Sequence, residues 1–498
     1  MTSVPLLTHS DLDAVFAWAT NGPVSVSDYV ADAYRLGEQL PATGHLLNLC
    51  HDRYRFAVGF AAGMLRGMTS LQPSSQSPET FRRLQAEYPD LICLCDGPTD
   101  TLDLPRIDFP AISAVDRKNQ PRTKLAIPAF PADHLAAILF TSGSTGLPQA
   151  QRKTWGKLVA NGRAEAVALG LDRQPHAIVG TVPVQHSYGF ESTFLLALHG
   201  GCAFWAGKPF YPQDIAGALA AVPQPRLLVT TPFHLSALLS AEIELPPVDL
   251  LLSATAPLST TLAADAEART GAPMHEIYGS TESGQLASRR TTDGAAWTLL
   301  PGVRLEQVGE DTVACAGHVE GRVALSDRIE PLSDQRFLLH GRHTDLVNIA
   351  GKRTSLAYLN HQLGAVPGVV DGAFFLPDEE APDGITRLTA FVVAPGLSAR
   401  QITVELRQRI DAIFLPRPLV LVDKLPRNST GKLPRGLYSH SDQVQQWHTS
   451  VTTAARSLGW AGSAADLLHA GNTGSKVSMN ISISGNNIWQ TGNKLFAY

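Results

Sequence analysis

No run of apolar residues in this sequence approaches the ~20 needed to span a bilayer, so a transmembrane segment is not expected. A basic stripe or arginine-rich tail is also missing. The chain carries 40 Lys and Arg against 45 Asp and Glu, a formal net charge of −5, which gives no reason to expect nucleic acid as a partner. Cysteine is scarce: Cys50, Cys93, Cys95, Cys202 and Cys315 form no CxxC pair and lack matching histidine spacing. That excludes a thiolate zinc site, and buried reduced thiols in a cytoplasmic protein are expected. The opening MTSVPLLTHSDLDAVFAW shows no basic leader, apolar core and small-residue cleavage site. The nucleotide motif GxxxxGK followed by Ser or Thr is absent too, because Pro209 follows Gly207-Lys208 and Leu433 follows Gly431-Lys432.

What remains is a globular composition, 44% hydrophobic and 17% charged, in 498 residues. That length is too great for one ordinary core and predicts two or more domains. Between residues 130 and 280, short β-rich runs (AAILF, AIVGTVPV, CAFWA, RLLVTT, DLLLSA, MHEIY) alternate with helical patterns at 153–169, 214–221, 233–241 and 259–270, the last stopped by Gly271. Such alternation predicts an α/β fold in which a parallel sheet is covered by helices. After residue 340 the pattern changes to strands GAFFLP and LTAFVVAP, a helix near 399–414 started by Ser398, and the strand PLVLVDKLP. This reads as a separate α+β unit of about 100 residues. The segment 441–498, Gly-, Ser- and Asn-rich from 463, reads as a partly disordered tail.

Residues 140–150, FTSGSTGLPQA, place two glycines and four hydroxyl side chains directly after an apolar run. A backbone that turns on glycine can aim several N–H groups inward, and Ser and Thr hydroxyls add donors. Together they make a cradle for a polyphosphate at the carboxyl end of a strand.

This stretch resembles the phosphate loop of the adenylate-forming (AMP-binding) superfamily, which includes acyl- and aryl-CoA synthetases, peptide-synthetase adenylation domains and luciferases. Further matches follow in order. PVQHSYG at 183–189 resembles the segment that lies beside the acyl pocket, SATAPL at 253–258 the turn against adenine, and YGSTE at 278–282 the family's most recognisable string after the phosphate loop. Asp327, HGRHTDLVNIAGKR at 340–353 and LPRNSTGKLPR at 425–435 complete the set. The resemblance covers roughly residues 50–440. It implies a large N-terminal domain over 1–341 for substrate and ATP, and a mobile α+β lid over 342–440.

It also implies roles. Thr141, Ser142, Gly143, Ser144, Thr145 and Gly146 would hold phosphate, and Thr255, Ala256 and Pro257 would pack on adenine. Tyr278, with Gly279 and Ser280, would line the nucleotide site. Tyr278 would stack on the base, Thr281 would contact phosphate, and Glu282 would offer a hard carboxylate oxygen to Mg²⁺. His186 would orient the acid, Asp327 would bind the ribose hydroxyls, and Arg342 and Arg353 would reach the nucleotide or the thiol substrate. Lys432 would be the catalytic lysine. The implied reaction is attack of a carboxylate on the α-phosphorus of ATP, releasing pyrophosphate, followed by transfer of the acyl group to a phosphopantetheine thiol. CoA or a holo-acyl carrier protein would supply that thiol, with the carrier slightly favoured because the chain is a trimmed, stand-alone unit. The acid is an aryl acid such as 4-hydroxybenzoate, or a fatty acid, since only Glu191 between His186 and Phe194 is acidic.

The pattern also has departures. Gln149 and Ala150 stand where Lys-Gly is usual, with Arg152 and Lys153 as the nearest replacement cations. Thr344 occupies the hinge position, with Asp345 beside it, and Tyr358 and Asn360 replace two common glutamates. These changes leave a second reading open, a catalytically weak nucleotide-binding homologue acting as sensor or scaffold.

Overall fold

The computed structural model describes residues 2–73, 76, 78–97, 104–110, 126–141, 149–309, 311–342, 346–349, 352–376 and 388–425. The chain separates into two compact units, Met1–Leu339 and His340–Tyr498.

In the first unit the long βα alternation builds two sheets. The six-stranded one runs in the order Gln149–Thr154, Leu135–Thr141, Thr69–Gln72, His45–Asn48, Leu91–Cys95 and Arg106–Asp108, and only its first pair is antiparallel. The eleven-stranded sheet has a parallel centre, Met274–Ser280, Leu250–Ser253, Arg226–Thr230, Ala177–Gly180 and Ala203–Trp205. Helices on its faces bury the strands on both sides, which is why AIVG and LLLS read as unbroken buried runs rather than alternating ones. Antiparallel strands Gly284–Arg290 and Ala296–Leu299 extend it.

The expected helices form at Trp155–Ala168, Pro212–Ala220, Pro232–Ser240 and Thr260–Thr270. Gly271 ends the last at φ 73°, a left-handed cap that costs glycine little. The parallel strands expected over 130–280 fall into two sheets, with Leu135–Thr141 in one and the later strands in the other. The polar strand Gln149–Thr154, which contains the first residues of the expected helix, returns antiparallel alongside Leu135–Thr141.

The helix Arg53–Leu65 is apolar almost all round, and a buried helix must be. Its Phe56 and Phe60 pack on Phe194 at ring separations of 5.6 and 5.2 Å, which seats the π-helical turn Phe190–Leu195. All five cysteines are buried and none forms a disulfide, and no helix among the described residues is long and apolar enough to cross a membrane.

The second unit, taken by itself, holds the hairpin Leu346–Ile349 with Lys352–Ser355 and the sheet Asp371–Phe375, Thr389–Val393 and Leu419–Leu421. The helices Leu356–Gly364 and Ala399–Leu406 close its core around Leu359, Leu363, Ile402 and Leu406. Ser398 caps the second helix in a reciprocal capping box with Gln401.

One buried carboxylate ties the centre of the large sheet together. Glu276 accepts from Arg289 Nε at 2.7 Å, from Thr291 Oγ1 at 2.8 Å and from the Leu258 N–H at 3.1 Å. Removing one member of a buried ion pair strands the other. Arg289→Met is therefore expected to lower unfolding stability by about 3 kcal/mol, read as a shift in the denaturant midpoint with unchanged slope.

Candidate active site

Strands Ala177–Gly180, Arg226–Thr230, Leu250–Ser253 and Met274–Ser280 are neighbours and parallel, so the segments that leave their carboxyl ends emerge along one edge. That edge collects three of the motif segments, 183–189, 253–258 and 278–282. Open α/β sheets place their ligands there.

His186 caps a short helical turn. Its Nδ1 accepts from the Tyr188 N–H at 3.3 Å, so a neutral ring carries its proton on Nε2. Tyr188 is anchored through its hydroxyl to the Leu252 carbonyl at 3.1 Å, tying the segment to the neighbouring strand system. A Cβ on Gly189 would lie 2.2 Å from the Pro183 carbonyl oxygen, so only glycine permits this tight return. The turn after Met274–Ser280 meets this segment directly, as Thr281 Oγ1 donates to Ser187 Oγ at 3.3 Å. Within the turn, Ser283 Oγ accepts from the Ser280 N–H at 3.2 Å, and Ser283 N–H donates to Ser280 Oγ at the same distance. The Glu282 carboxylate accepts no hydrogen bond from a described residue, while its backbone carbonyl accepts from Lys153 Nζ at 2.9 Å.

Tyr278 donates to Asp327 Oδ2 at 2.9 Å, which joins two residues 49 positions apart in sequence. Its ring stands 5.8 Å from Trp297 and 5.9 Å from Phe337, and these hold it in place. In the 254–258 turn Thr255 adopts φ 80°, a left-handed conformation that a β-branched residue takes only when its surroundings compel it. The Glu276–Leu258 bond is one such constraint. Ala256 is half-buried and Pro257 exposed.

Thr141 closes its strand opposite Gln149. Ser142, Gly143, Ser144, Thr145, Gly146 and Lys432, with the hinge residues Thr344 and Asp345 and the tail 441–498, lie outside the described residues. Arg342 ends the strand Arg336–Arg342, and Arg353 pairs with Asn348 in the small-unit hairpin.

Two sets of residues gained no site role from sequence, although Glu191 was noted there as the acidic residue of its stretch. Arg53, fully buried, donates Nη2 to the carbonyls of Gly180 at 2.7 Å and Val182 at 3.0 Å, and Nη1 to that of Gly207. Burial pulls its guanidinium down to about 10, against the pull of Asp52, and it stays charged at neutral pH. It fixes the backbone just ahead of His186. The second set is a buried polar cluster beside the π-helical turn, comprising Glu165, Glu191, Ser192 and Gln285, with Gln285 Nε2 donating to Ser192 Oγ at 2.7 Å. Burial raises Glu191 to about 7, opposed by the Lys153 charge. Glu165 rises to about 8 through burial, with Ser192 and Gln285 pulling down and Glu191 pushing up.

A carboxyl raised in the folded state binds its proton there and not in the unfolded chain between the two pKa values. Stability from this group is therefore lost as pH rises through that window. Relative to Glu165→Gln, the wild type is expected to lose up to about 1.4 kcal/mol per pH unit between pH 5 and 8, with little further change below 4.5. Chemical denaturation of both proteins across pH 4–9 checks the sign and the window.

A model of a family described as AMP-binding enzyme matches residues 86–327. Similar proteins include the 4-coumarate–CoA ligase of Rhodobacter capsulatus, 31% identical over 277 residues that make up 55% of this chain and 68% of that one. Another is the medium-chain fatty-acid–CoA ligase of Escherichia coli, 27% identical over 355 residues, covering 61% of each. Among solved structures, ATP-bound MatB from Rhodopseudomonas palustris superposes with a TM-score of 0.74 at 19% identity, over 88% of this chain and 97% of that one. The o-succinylbenzoate CoA synthetase of Bacillus subtilis with its acyl-adenylate gives 0.71 at 18% identity, over 87% and 97%. At such identities the likeness speaks for the fold.

Proposed function

Because this chain belongs to the AMP-binding enzyme family and has the adenylate-forming fold, we propose that it activates a carboxylic acid with ATP and passes the acyl group to a phosphopantetheine thiol. The observation that carries the reading is the meeting of Thr281 with Ser187. That contact puts the residues assigned to phosphate and metal next to those assigned to the acid.

A carboxylate is a poor electrophile because oxide is a poor leaving group. In the first step its oxygen attacks the α-phosphorus, a new P–O bond forms, the bond to pyrophosphate breaks, and AMP becomes the leaving group. In the second step thiol sulfur attacks the acyl carbon, the bond to AMP breaks, and the thiol proton passes to solvent or base. Two anions must meet in the first step, so positive charge and donors are what the chain has to provide. The N–H and hydroxyl groups of 141–146 and the Lys432 ammonium would serve the phosphates. The proton on His186 Nε2 would be donated to the substrate carboxylate and orient it. Tyr278 and Asp327, already hydrogen-bonded, would hold adenine and ribose.

The donor set suits Mg²⁺. That ion is held by one or two carboxylates together with substrate phosphates, and the Glu282 carboxylate makes no hydrogen bond to a described residue. When bound, Mg²⁺ would neutralise phosphate charge.

For the acid we favour an aryl acid with a 4-hydroxyl, 4-hydroxybenzoate being the candidate. Support comes from relatives named for 4-coumarate, which bears the same group. A fatty acid is the other class, as in the E. coli relative's name. The acceptor is an acyl carrier protein or CoA. Residues 342–440 would form the lid that brings Lys432 to the first step and withdraws it for the second.

The test is pyrophosphate exchange into ATP with Mg²⁺ across hydroxybenzoates, cinnamates and fatty acids, followed by thioester formation with CoA or a holo-carrier. One acid class should stimulate exchange. Lys432→Ala should lower that rate roughly 10²–10³-fold while leaving thioester formation from a supplied acyl-adenylate nearly intact. Silence of the folded wild type across the panel, with ATP still bound, would replace this reading with a nucleotide-binding sensor or scaffold.

A further inference from the structure

Lys153 lies four residues after Gln149, on the strand that leaves the phosphate loop, and is only 5% exposed. A lysine ammonium is rarely so buried unless it is paired and hydrogen-bonded. Here it donates to the backbone carbonyl of Glu282 at 2.9 Å, and the carboxylates of Glu191, Glu320 and Glu282 surround it with opposite charge. The next residue is fixed as well: the N–H and Oγ1 of Thr154 both donate to Glu320 Oε1 at 2.7 Å.

The turn that carries Glu282 is therefore held on three sides. Thr281 reaches Ser187 Oγ at 3.3 Å, Ser283 reaches back to Ser280 at 3.2 Å, and the peptide of Glu282 itself is held by Lys153. The Lys153 contact is made from the six-stranded sheet to a turn of the other, 129 residues later in the chain.

We propose that Lys153 is a positioning residue for adenylation, an inference that rests on the assignment of Glu282 to the metal: it clamps the Glu282 peptide to the strand leaving the phosphate loop, so that the carboxylate meets the nucleotide's metal from a fixed backbone. The Lys153 ammonium is committed to protein groups and does not stand in for the cation missing at Gln149. Groups that orient a metal-binding carboxylate typically contribute 10- to 100-fold to metal affinity.

The experiment measures ATP affinity by calorimetry with Mg²⁺ and again with EDTA, no acid present, for the wild type, Glu282→Gln, Lys153→Met and the double variant Lys153→Met/Glu191→Gln. The double variant also removes the buried acid left without its cation, and it carries the test should the single variant fail to fold. Mg²⁺ should tighten ATP binding in the wild type, and Glu282→Gln should abolish that gain. The Lys153 variants should reduce it about 10-fold while keeping the affinity in EDTA within about 2-fold. Thioester formation from a supplied acyl-adenylate should also survive, since pyrophosphate and its metal have left by then.

A full Mg²⁺ gain in the Lys153 variants, with Glu282→Gln losing it, overturns this inference and leaves the proposed function standing. Equal weakening with and without Mg²⁺ also overturns it, since a general loss of structure would do that. A wild type without any Mg²⁺ gain, or a Glu282→Gln variant that keeps it, removes the assignment of Glu282 on which the inference rests.

Discussion

Parallel strands cannot be joined by tight turns, so each crossover must carry the chain through a helix and return it to the same side of the sheet. In this protein that constraint decides where chemistry can sit. Strands 177–180, 226–230, 250–253 and 274–280 all run the same way, and the segments with His186, Thr255 and Thr281 leave them along one edge. The interior of each strand is occupied with burial, so polar chemistry is left to the exits. Those exits are then fixed by side chains from elsewhere: Arg53 on the carbonyls of Gly180 and Val182, Glu276 on the Leu258 N–H, and Lys153 on the Glu282 carbonyl. Each anchor is charged, buried and bound to backbone, and Arg53 and Lys153 lie more than a hundred residues from the peptides they hold.

How much of this was legible in the sequence follows from the range of the interactions involved. The strands and helices between 130 and 280, and the helix after Ser398, were readable because periodicity and caps act over a few residues, as Gly271 and Ser398 illustrate. The strand Gln149–Thr154 escaped because QAQRKT has neither an apolar face nor β-branched residues until Thr154, and its pairing is set by Leu135–Thr141. The division into two sheets was likewise invisible, since no local pattern says which strand lies beside which. The order of the motifs pointed to the edge where His186, Thr281 and Tyr278 are found, but it carried no hint of the anchors. Arg53 sits in HDRYRF with nothing to set it apart from Arg55, which is only half-buried.

The buried acids change the electrostatic picture that composition suggests. Glu191, Glu282 and Glu320 lie near the buried cation Lys153, and Glu165 lies near Glu191, while position 149 is a glutamine. Fully ionised, this group would oppose the approach of both ATP and a carboxylate. Burial relieves the conflict, because Glu191 is raised to about 7 and Glu165 to about 8, so part of that charge is neutralised at physiological pH.

That relief has a thermodynamic corollary. An anion bound near a titrating acid disfavours its ionised form, so the acid's pKa rises further in the complex. An acid so placed takes up a fraction of a proton as the anion binds. By the same linkage, affinity for an anion held beside Glu191 falls as pH climbs through that residue's free-state value. A lysine at 149 would have offset the same repulsion at every pH below its own titration. With glutamine in its place, the balance between attraction and repulsion rests more heavily on acids that titrate near neutrality.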